Sequence, residues 1–354
     1  MRDFTYIGLP ARVVFGSGTI ARLPDEVGRL GIRRAMVLTT PHQEAEGREI
    51  AAMLGESAAH LFTGATMHTP VSVTEAALKL VRDQRIDGFV AIGGGSTTGL
   101  AKALALRTDL PQLIVPTTYA GSEMTPVVGE TADGEKVTRS DPAILPETVI
   151  YDVDLTLGLP PAITGTSGVN AMAHAVEALY AQNRNPITDL MAIEALGTLY
   201  HALPVVVAAP GDKDARADAL YGAWLCGICL GAVGMALHHK LCHALGGMFD
   251  LPHSELHTVI LPHALAYNAP AIPEVMARLR DTFGSDDPAR ALYDLAGRIG
   301  AKRALAELGM PESGIDAATD RALANPYWNP RPLERAALRQ LIADAYAGNP
   351  PSPG

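Results

Sequence analysis

Asn170 and His174 stand four residues apart in "GVNAMAHAVEALYA" (168–181), a run of good helix formers. That spacing places both side chains on one helical face. A carboxylate at 170 would make, with the imidazole, half of a metal site. Asparagine cannot supply the negative charge. A second cluster lies downstream, where six of the eleven histidines fall in "HHKLCHALGGMFDLPHSELHTVILPH". His239 and His243 share a face at i, i+4, and His253 follows "LP" at an expected helix start. We assign His174, His239, His243 and His253, with Asn170, as candidates for chemistry. His238, His257 and His263 are read as satisfied or solvated histidines.

A different chemistry is written earlier. "FVAIGGGSTTGLAKALAL" puts Gly93, Gly94 and Gly95 between a buried strand and a helix. Glycines allow positive φ and close approach of backbone N–H groups to an anion. Ser96 or Thr97 is expected to cap a helix whose N-terminus favours a pyrophosphate. The run is neither a Walker A loop nor a strict GxGxxG, since Thr98 holds the last glycine position. The next strand ends in "PTTYAGSEMT" (116–125), with hydroxyls at Thr117, Thr118, Tyr119, Ser122 and Thr125. Two adjacent strand ends rich in glycine and hydroxyls predict a dinucleotide site. An earlier strand end, "VLTTPHQ", carries Thr39 where an acid would bind the ribose 2′-OH and select NAD. Without that charge both NADH and NADPH are expected as cofactors.

Two kinds of element must position these residues. "RAMVLTT" (34–40), "GFVAIGG" (88–94), "QLIVPTT" (112–118) and "TVIYDVD" (148–154) read as strands, with "VTEAALKLVRDQ" and "TTGLAKALALRT" as intervening helices. Short apolar strands separated by helices predict a parallel sheet covered on both faces. Beyond about residue 160 the period is helical throughout, in "PITDLMAIEALGTLYHAL", "ARADALYGAWLCGICLGAVGMALHHKLCHAL", "ARALYDLAGRIGAKRALAEL" and "PLERAALRQLIADAYAG". The expected architecture is an α/β dinucleotide-binding domain with a parallel sheet over 1–160, followed by an all-helical substrate domain over 161–354, with ligands in the crevice between them.

Composition narrows the partners. A net charge of −10 over 354 residues offers no basic excess for phosphate backbones, so nucleic acid is not expected. Cys226, Cys229 and Cys242 all sit in one apolar stretch. The CxxC there follows no strand and has no second pair, so the cysteines read as small buried hydrophobes in a reducing compartment. No signal-peptide pattern opens the chain. The longest apolar run, Leu225–Leu237, is shorter than the roughly 20 residues of a membrane span. A cytoplasmic protein without membrane partners is expected.

"GGGST", "PTT…GSE", "NAMAHAVEAL" and "HKLCHALGG" followed by "PHSELHTVILPH" together resemble the iron-containing alcohol dehydrogenase superfamily over nearly the whole chain. "GGGSTTGLAKA", "PTTYAGSEMTP", "YGAWLCG" and "MALHHKLCHALGG…DLPH" bring it nearest to the maleylacetate reductases of that group. The resemblance implies that metal-dependent members hold an ion with one Asp and three His, matched here by Asn170, His174, His239 and His253. It implies that His243 is a non-ligand active-site histidine. Gly93, Gly94, Gly95, Ser96, Thr117, Thr118, Ser122 and Lys136 match positions that contact the cofactor, and a homodimer is expected. The loop "TTYAGSE" is one residue shorter than the family's usual form.

The implied reaction explains why a carboxylate can be absent. Alcohol oxidation needs a Lewis acid beside the alkoxide. Reduction of the C=C bond of maleylacetate to 3-oxoadipate instead places charge on a conjugated ketone oxygen, and hydrogen-bond donors can stabilise that enolate. We therefore expect an NADH- or NADPH-dependent reductase of a small dicarboxylate, with no metal. A metal-dependent alcohol or hydroxy-acid dehydrogenase and a related-fold lyase stay open. The proline-flanked stretch "LANPYWNPRPL" (323–333) is a candidate pocket loop, with Tyr327 as donor and Arg331 gripping a carboxylate. Lys240, beside His239, is placed on a different helix face.

Overall fold

The computed structural model describes residues 4, 6–9, 11–132 and 135–352, without the side chains of Glu135 and Lys136. Two compact units divide between Leu159 and Pro160. The described residues before Gly8 group with the second unit, so the sheet unit begins at Gly8 and not at residue 1.

The first unit is built on a parallel sheet of six strands in the order β1-β8-β5-β4-β2-β3. These are β1 Arg12–Gly16, β2 Ala35–Leu38, β3 Ala58–Phe62, β4 Gly88–Gly93, β5 Gln112–Pro116 and β8 Thr148–Asp152. A separate antiparallel hairpin pairs β6 Val127–Ala132 with β7 Glu135–Ser140. The helices are α1 Leu23–Arg29, α2 Glu44–Leu54, α3 Val71–Asp83 and α4 Gly95–Thr108. β2, β4, β5 and β8 are buried along their whole length, as their continuous apolar sequences require of a sheet covered on both faces. β1, β3 and the hairpin are not among the strands read from the sequence, and β1, β3 and β6 are only partly buried.

The second unit is helical: α5 Pro161–Ala178, α6 Pro186–Ala208, α7 Lys213–Ala232, α8 Leu237–Phe249, α9 His253–Asn268, α10 Pro273–Phe283, α11 Pro288–Arg298, α12 Gly314–Ala324 and α13 Arg335–Ala347. α5 is its axis. Fifteen of its eighteen residues are buried, the pattern of a helix enclosed on all sides. Small residues permit that enclosure: a Cβ at Gly168 would lie 2.3 Å from Leu203 of α6. α6 is 23 residues long and apolar enough to cross a membrane by length and composition. It packs here between α5 and α7.

One long helical run of the sequence is divided. α7 and α8 meet at 94° across Val233–Ala236. The freed backbone N–H groups find side chains on other elements, Gly234 donating to Asn183 Oδ1 at 2.9 Å and Ala236 to Glu177 Oε2 at 2.7 Å. The bend turns the histidines of α8 back onto α5.

Candidate active site

The three glycines expected to cradle an anion lie where β4 passes into α4. Gly93 has φ 141°, a conformation that L side chains rarely adopt. A Cβ there would meet Gln43 Oε1 at 2.6 Å, and one on Gly94 would meet Thr118 Oγ1 at 2.9 Å. Nothing lies within 4 Å of the corresponding position on Gly95, where α4 opens outward. Gly94, not Ser96 or Thr97, is the N-cap of α4. Its φ of −98° and ψ of −152° start the helix two residues before Ser96 would, and Thr97 Oγ1 turns back to Gly94 O at 2.9 Å. The first-turn N–H groups therefore have no capping side chain from Gly94, which leaves them for an anion. The Thr117 N–H donates to Gly93 O at 2.9 Å and locks the second loop to the first.

Thr39, expected at the ribose position, is turned inward. It is fully buried, with its methyl 2.7 Å from where a Cβ on Gly47 of α2 would sit. Thr40 takes the partly exposed place, bonded to Gln43 Oε1 at 3.2 Å, and Gln43 Nε2 donates to Thr117 at 3.3 Å. The first acid beyond is Glu44, which is engaged with Arg48. Ser122 Oγ is buried without a hydrogen-bond partner. The Lys136 side chain lies outside the described residues.

The second site lies wholly in the helical unit. α5 carries Asn170 and His174, α8 carries His239 and His243, and α9 begins at His253. The His174 and His239 rings stack with centroids 5.1 Å apart, and His239 and His243 stand edge to face at 6.2 Å. Asn170 Oδ1, His174 Nδ1 and His239 Nε2 are buried with no hydrogen-bond partner.

Glu177, unmarked in the sequence reading, organises this arrangement. It is completely buried on α5. Its carboxylate accepts the Ala236 and His238 N–H groups, each at 2.7 Å, and bonds His239 Nδ1 at 2.7 Å. One acid therefore caps the start of α8, where the helix dipole favours negative charge, and fixes the His239 tautomer so that Nε2 bears the lone pair. The signal was present: a lone acid three residues after His174 in a helix of small apolar residues.

His238 and His257 are not bystanders. His238 Nε2 and His257 Nδ1 lie 2.9 Å apart, and the His257 ring is 4.3 Å from that of His253 and 5.2 Å from that of His239. Cys242 Sγ stands 3.7 Å from His238 Nε2. Spacing could have found them, because His253/His257 and His238/Cys242 are further i, i+4 pairs. Burial holds His174, His238 and His257 well below the usual histidine range, with neighbouring imidazoles adding to the effect. His263, buried apart from them, is pushed down to about 4. Burial pushes the Cys229 thiol up to about 12 and raises Cys226 and Cys242, which suits inert thiols.

These shifts carry a pH dependence of stability. Between pH 4 and 6.5 the unfolded chain binds protons that the folded chain refuses, so stability is present above 6.5 and is lost on acidification. His263 alone removes about 2 kcal/mol by pH 5. The thermal midpoint is expected to fall steeply between pH 7 and 5; a flat midpoint would contradict the buried neutral histidines.

The 325–334 loop is irregular and strapped to the end of α9. Tyr267 Oη donates to Pro332 O at 2.8 Å and accepts the Glu334 N–H at 3.1 Å. The Asn268 and Asn329 side chains exchange two hydrogen bonds, at 3.0 and 2.7 Å. Arg331 belongs to this strap: it donates to Tyr267 O at 2.8 Å and lies over that ring at 4.4 Å. The strap presents Tyr327, whose hydroxyl is 3.0 Å from His243 Nδ1. Lys240 lies 5.6 Å from the centroid of the Tyr327 ring. At i, i+3 from His243 it shares that face after all, and Arg321 is close enough to depress it after burial.

Residues 10–153 match the description "Iron-containing alcohol dehydrogenase" and residues 164–346 match "Fe-containing alcohol dehydrogenase family, C-terminal". The chain belongs to the iron-containing alcohol dehydrogenase family. It is 54% identical to a maleylacetate reductase of Rhizobium sp. (strain MTP-10005), over 99% of this chain and 100% of that one. The crystal structure of maleylacetate reductase from Agrobacterium tumefaciens superposes with a TM-score of 0.97 at 54% identity, covering 99% of this chain and 100% of its own. An iron-containing alcohol dehydrogenase of Corynebacterium glutamicum follows at 39% identity and TM-score 0.94, with 100% and 99% covered.

The family implies an ion, and the donors fit one. Asn170 Oδ1, His174 Nδ1 and His239 Nε2 are buried atoms awaiting a partner, and the Glu177–His239 bond is the outer support that metal-bound imidazoles usually have. With His253 they would hold a divalent ion, which would supply Lewis-acid polarisation of a substrate oxygen. His238, Cys242 and His257 also place one donor atom each within 4.8 Å of one another. The expectation of a site unsuited to metal is therefore not supported by these donors. What distinguishes the first set is its neutrality, since its oxygen donor is an amide.

Proposed function

We propose that this chain is a maleylacetate reductase, using NADH or NADPH to reduce the C=C bond of maleylacetate to 3-oxoadipate, and that it turns over without a bound metal. The observation that carries the reading is the neutral donor pocket of Asn170, His174 and His239. The 54% identity to maleylacetate reductases over nearly the full length supports the substrate.

The substrate's alkene is conjugated to a ketone. Hydride from the nicotinamide adds to the alkene carbon β to that ketone, the π electrons move to the ketone oxygen, and the resulting enolate takes a proton at the α carbon. The chain supplies donors for both events. The Asn170 amide N–H and the His174 imidazole, whose Nδ1 is buried without a partner, can hydrogen-bond a developing enolate oxygen without a formal charge. Burial, with the Glu177 charge second, pushes the Tyr327 hydroxyl up, so the phenol stays protonated. By donating to His243 Nδ1 it leaves the proton on Nε2, on a ring open to solvent. That N–H is the proton donor for carbon. Lys240, with Arg321 close to it, supplies positive charge for the substrate's carboxylates.

Purified enzyme assayed with maleylacetate and NADH, with and without EDTA, tests both halves of this reading. Turnover unchanged by EDTA, with less than stoichiometric metal in the same sample, is expected. Turnover that collapses with EDTA and returns with iron or zinc would assign the ion an essential role. Absence of NADH consumption would remove the substrate assignment.

A further inference from the structure

Lys102 is one of the largest fully buried side chains of the first unit, and the reaction described above makes no use of it. It lies on α4, two turns beyond the glycine cradle. Its Nζ donates to Ser122 O at 2.6 Å and to Thr125 Oγ1 at 2.9 Å. Thr125 Oγ1 in turn donates to Ser122 O at 3.0 Å, closing a three-membered ring of bonds around the turn 122–125. That turn follows Gly121, held at φ 78°. Next to it Glu123 is buried and accepts the Tyr151 hydroxyl of β8 at 2.8 Å. Burying an ammonium is costly unless it does something for the fold or the site. A methionine or leucine at 102 would fill the same space without that cost.

We propose that Lys102 is a positioning residue of the dinucleotide site: it ties the 117–125 loop to α4, so that a single helix sets both the glycine cradle at its N-terminus and the hydroxyl loop beside it. Thr118 packs against Gly94 and Thr117 bonds Gly93, so a shift of the loop is felt directly in the cradle. Lys102 does not touch the dinucleotide itself. The inference rests on the reading of this unit as the NADH site.

The clamp is also electrostatic. Burial brings the Lys102 ammonium down to about 7, with Glu123 opposing the fall. Of the elements packed against α4, β2, β4, β5 and the 142–144 turn carry no titratable group; β6 carries Glu130, and α3 carries Glu75, Lys79, Arg82 and Asp83. Glu130 and Glu75 are engaged with Arg107, further along α4, and Lys79 with Asp83. Glu123 is the group that interacts with Lys102. Protonated below pH 7, Lys102 favours an anionic ligand; deprotonated above it, that contribution is lost, so NADH affinity falls as pH rises from 6 to 8.

The test is direct NADH binding to the full-length enzyme by calorimetric titration, beside steady-state kinetics. Lys102→Met is expected to raise the Kd for NADH about tenfold. Its kcat at saturating NADH should stay within about twofold of wild type and its KM for maleylacetate should be unchanged, because the helical unit is untouched. Its Kd should no longer vary between pH 6 and 8. Thr125→Val, which keeps the lysine and removes its hydroxyl partner, should raise the Kd about threefold and carries the test if Lys102→Met does not fold. An unchanged Kd in either folded variant overturns the inference, and so does a pH dependence that is the same with and without Lys102. Wild-type enzyme that binds neither NADH nor NADPH would instead overturn the nucleotide reading on which it rests.

Discussion

Glu177→Gln is expected to lower kcat by about one to two orders of magnitude and to destabilise the protein by about 3 kcal/mol. The carboxylate is fully buried and bonds three groups at 2.7 Å, two backbone N–H groups at the head of α8 and His239 Nδ1. Glutamine keeps one acceptor oxygen and turns an NH2 toward one of those donors, so at least one buried N–H loses its partner. Leaving such a group unsatisfied costs about 1–3 kcal/mol, and loss of the charge at a helix N-terminus adds to it. The functional loss has a separate origin. Without an acceptor on Nδ1, the His239 proton is free to move to Nε2, and the lone pair facing the pocket is replaced by a donor. Thermal melts and kcat measured on the same preparation separate the two effects. A variant that melts early yet turns over within about twofold of wild type would make Glu177 a helix cap alone.

The second large effect concerns proton delivery. His243→Asn is expected to reduce kcat by about two to three orders of magnitude, the usual scale for removal of a general acid. Its fold should be intact, because the ring is exposed and bonds Tyr327 of the loop. Tyr327→Phe removes the donor that assigns the tautomer while leaving the ring for Lys240 to lie over, so a smaller loss of about tenfold is expected. If Tyr327 acts through His243, the double variant should be no slower than His243→Asn alone. Two losses that multiplied would mean that Tyr327 touches the substrate independently.

The strap that sets Tyr327 shows how a loop can be as well determined as a helix. Its prolines remove backbone donors and fix φ, Tyr267 at the end of α9 bonds the backbone at Pro332 and Glu334, and Asn268 holds the Asn329 side chain. Arg331 takes part in that holding through Tyr267, a contact that a sequence cannot reveal. Lys240 is the converse. It looked misplaced one residue after His239, but its partner is His243, three residues on, and both converge on Tyr327.

The linear chain determined a good deal by itself. Continuous apolar strands between amphipathic helices dictated a parallel sheet, because only a sheet covered on both faces can bury such runs. The glycine run at the end of β4 was legible as a place of special backbone, and Gly93 takes a φ of 141° that side chains rarely adopt. The i, i+4 spacing of Asn170 with His174 and of His239 with His243 fixed which side chains share a face. Tertiary structure decided the rest, and in each case the reason is a contact between residues distant in sequence. Glu177 bonds groups about sixty residues away, so nothing local marks it. The break between α7 and α8 sits inside an unbroken helical period, and side chains of Asn183 and Glu177 compensate the lost helical bonds. Thr39 is turned inward because it packs against Gly47, which the local sequence does not mark. Local pattern specifies faces and periods; which buried donor meets which acceptor is settled only when the helices are packed.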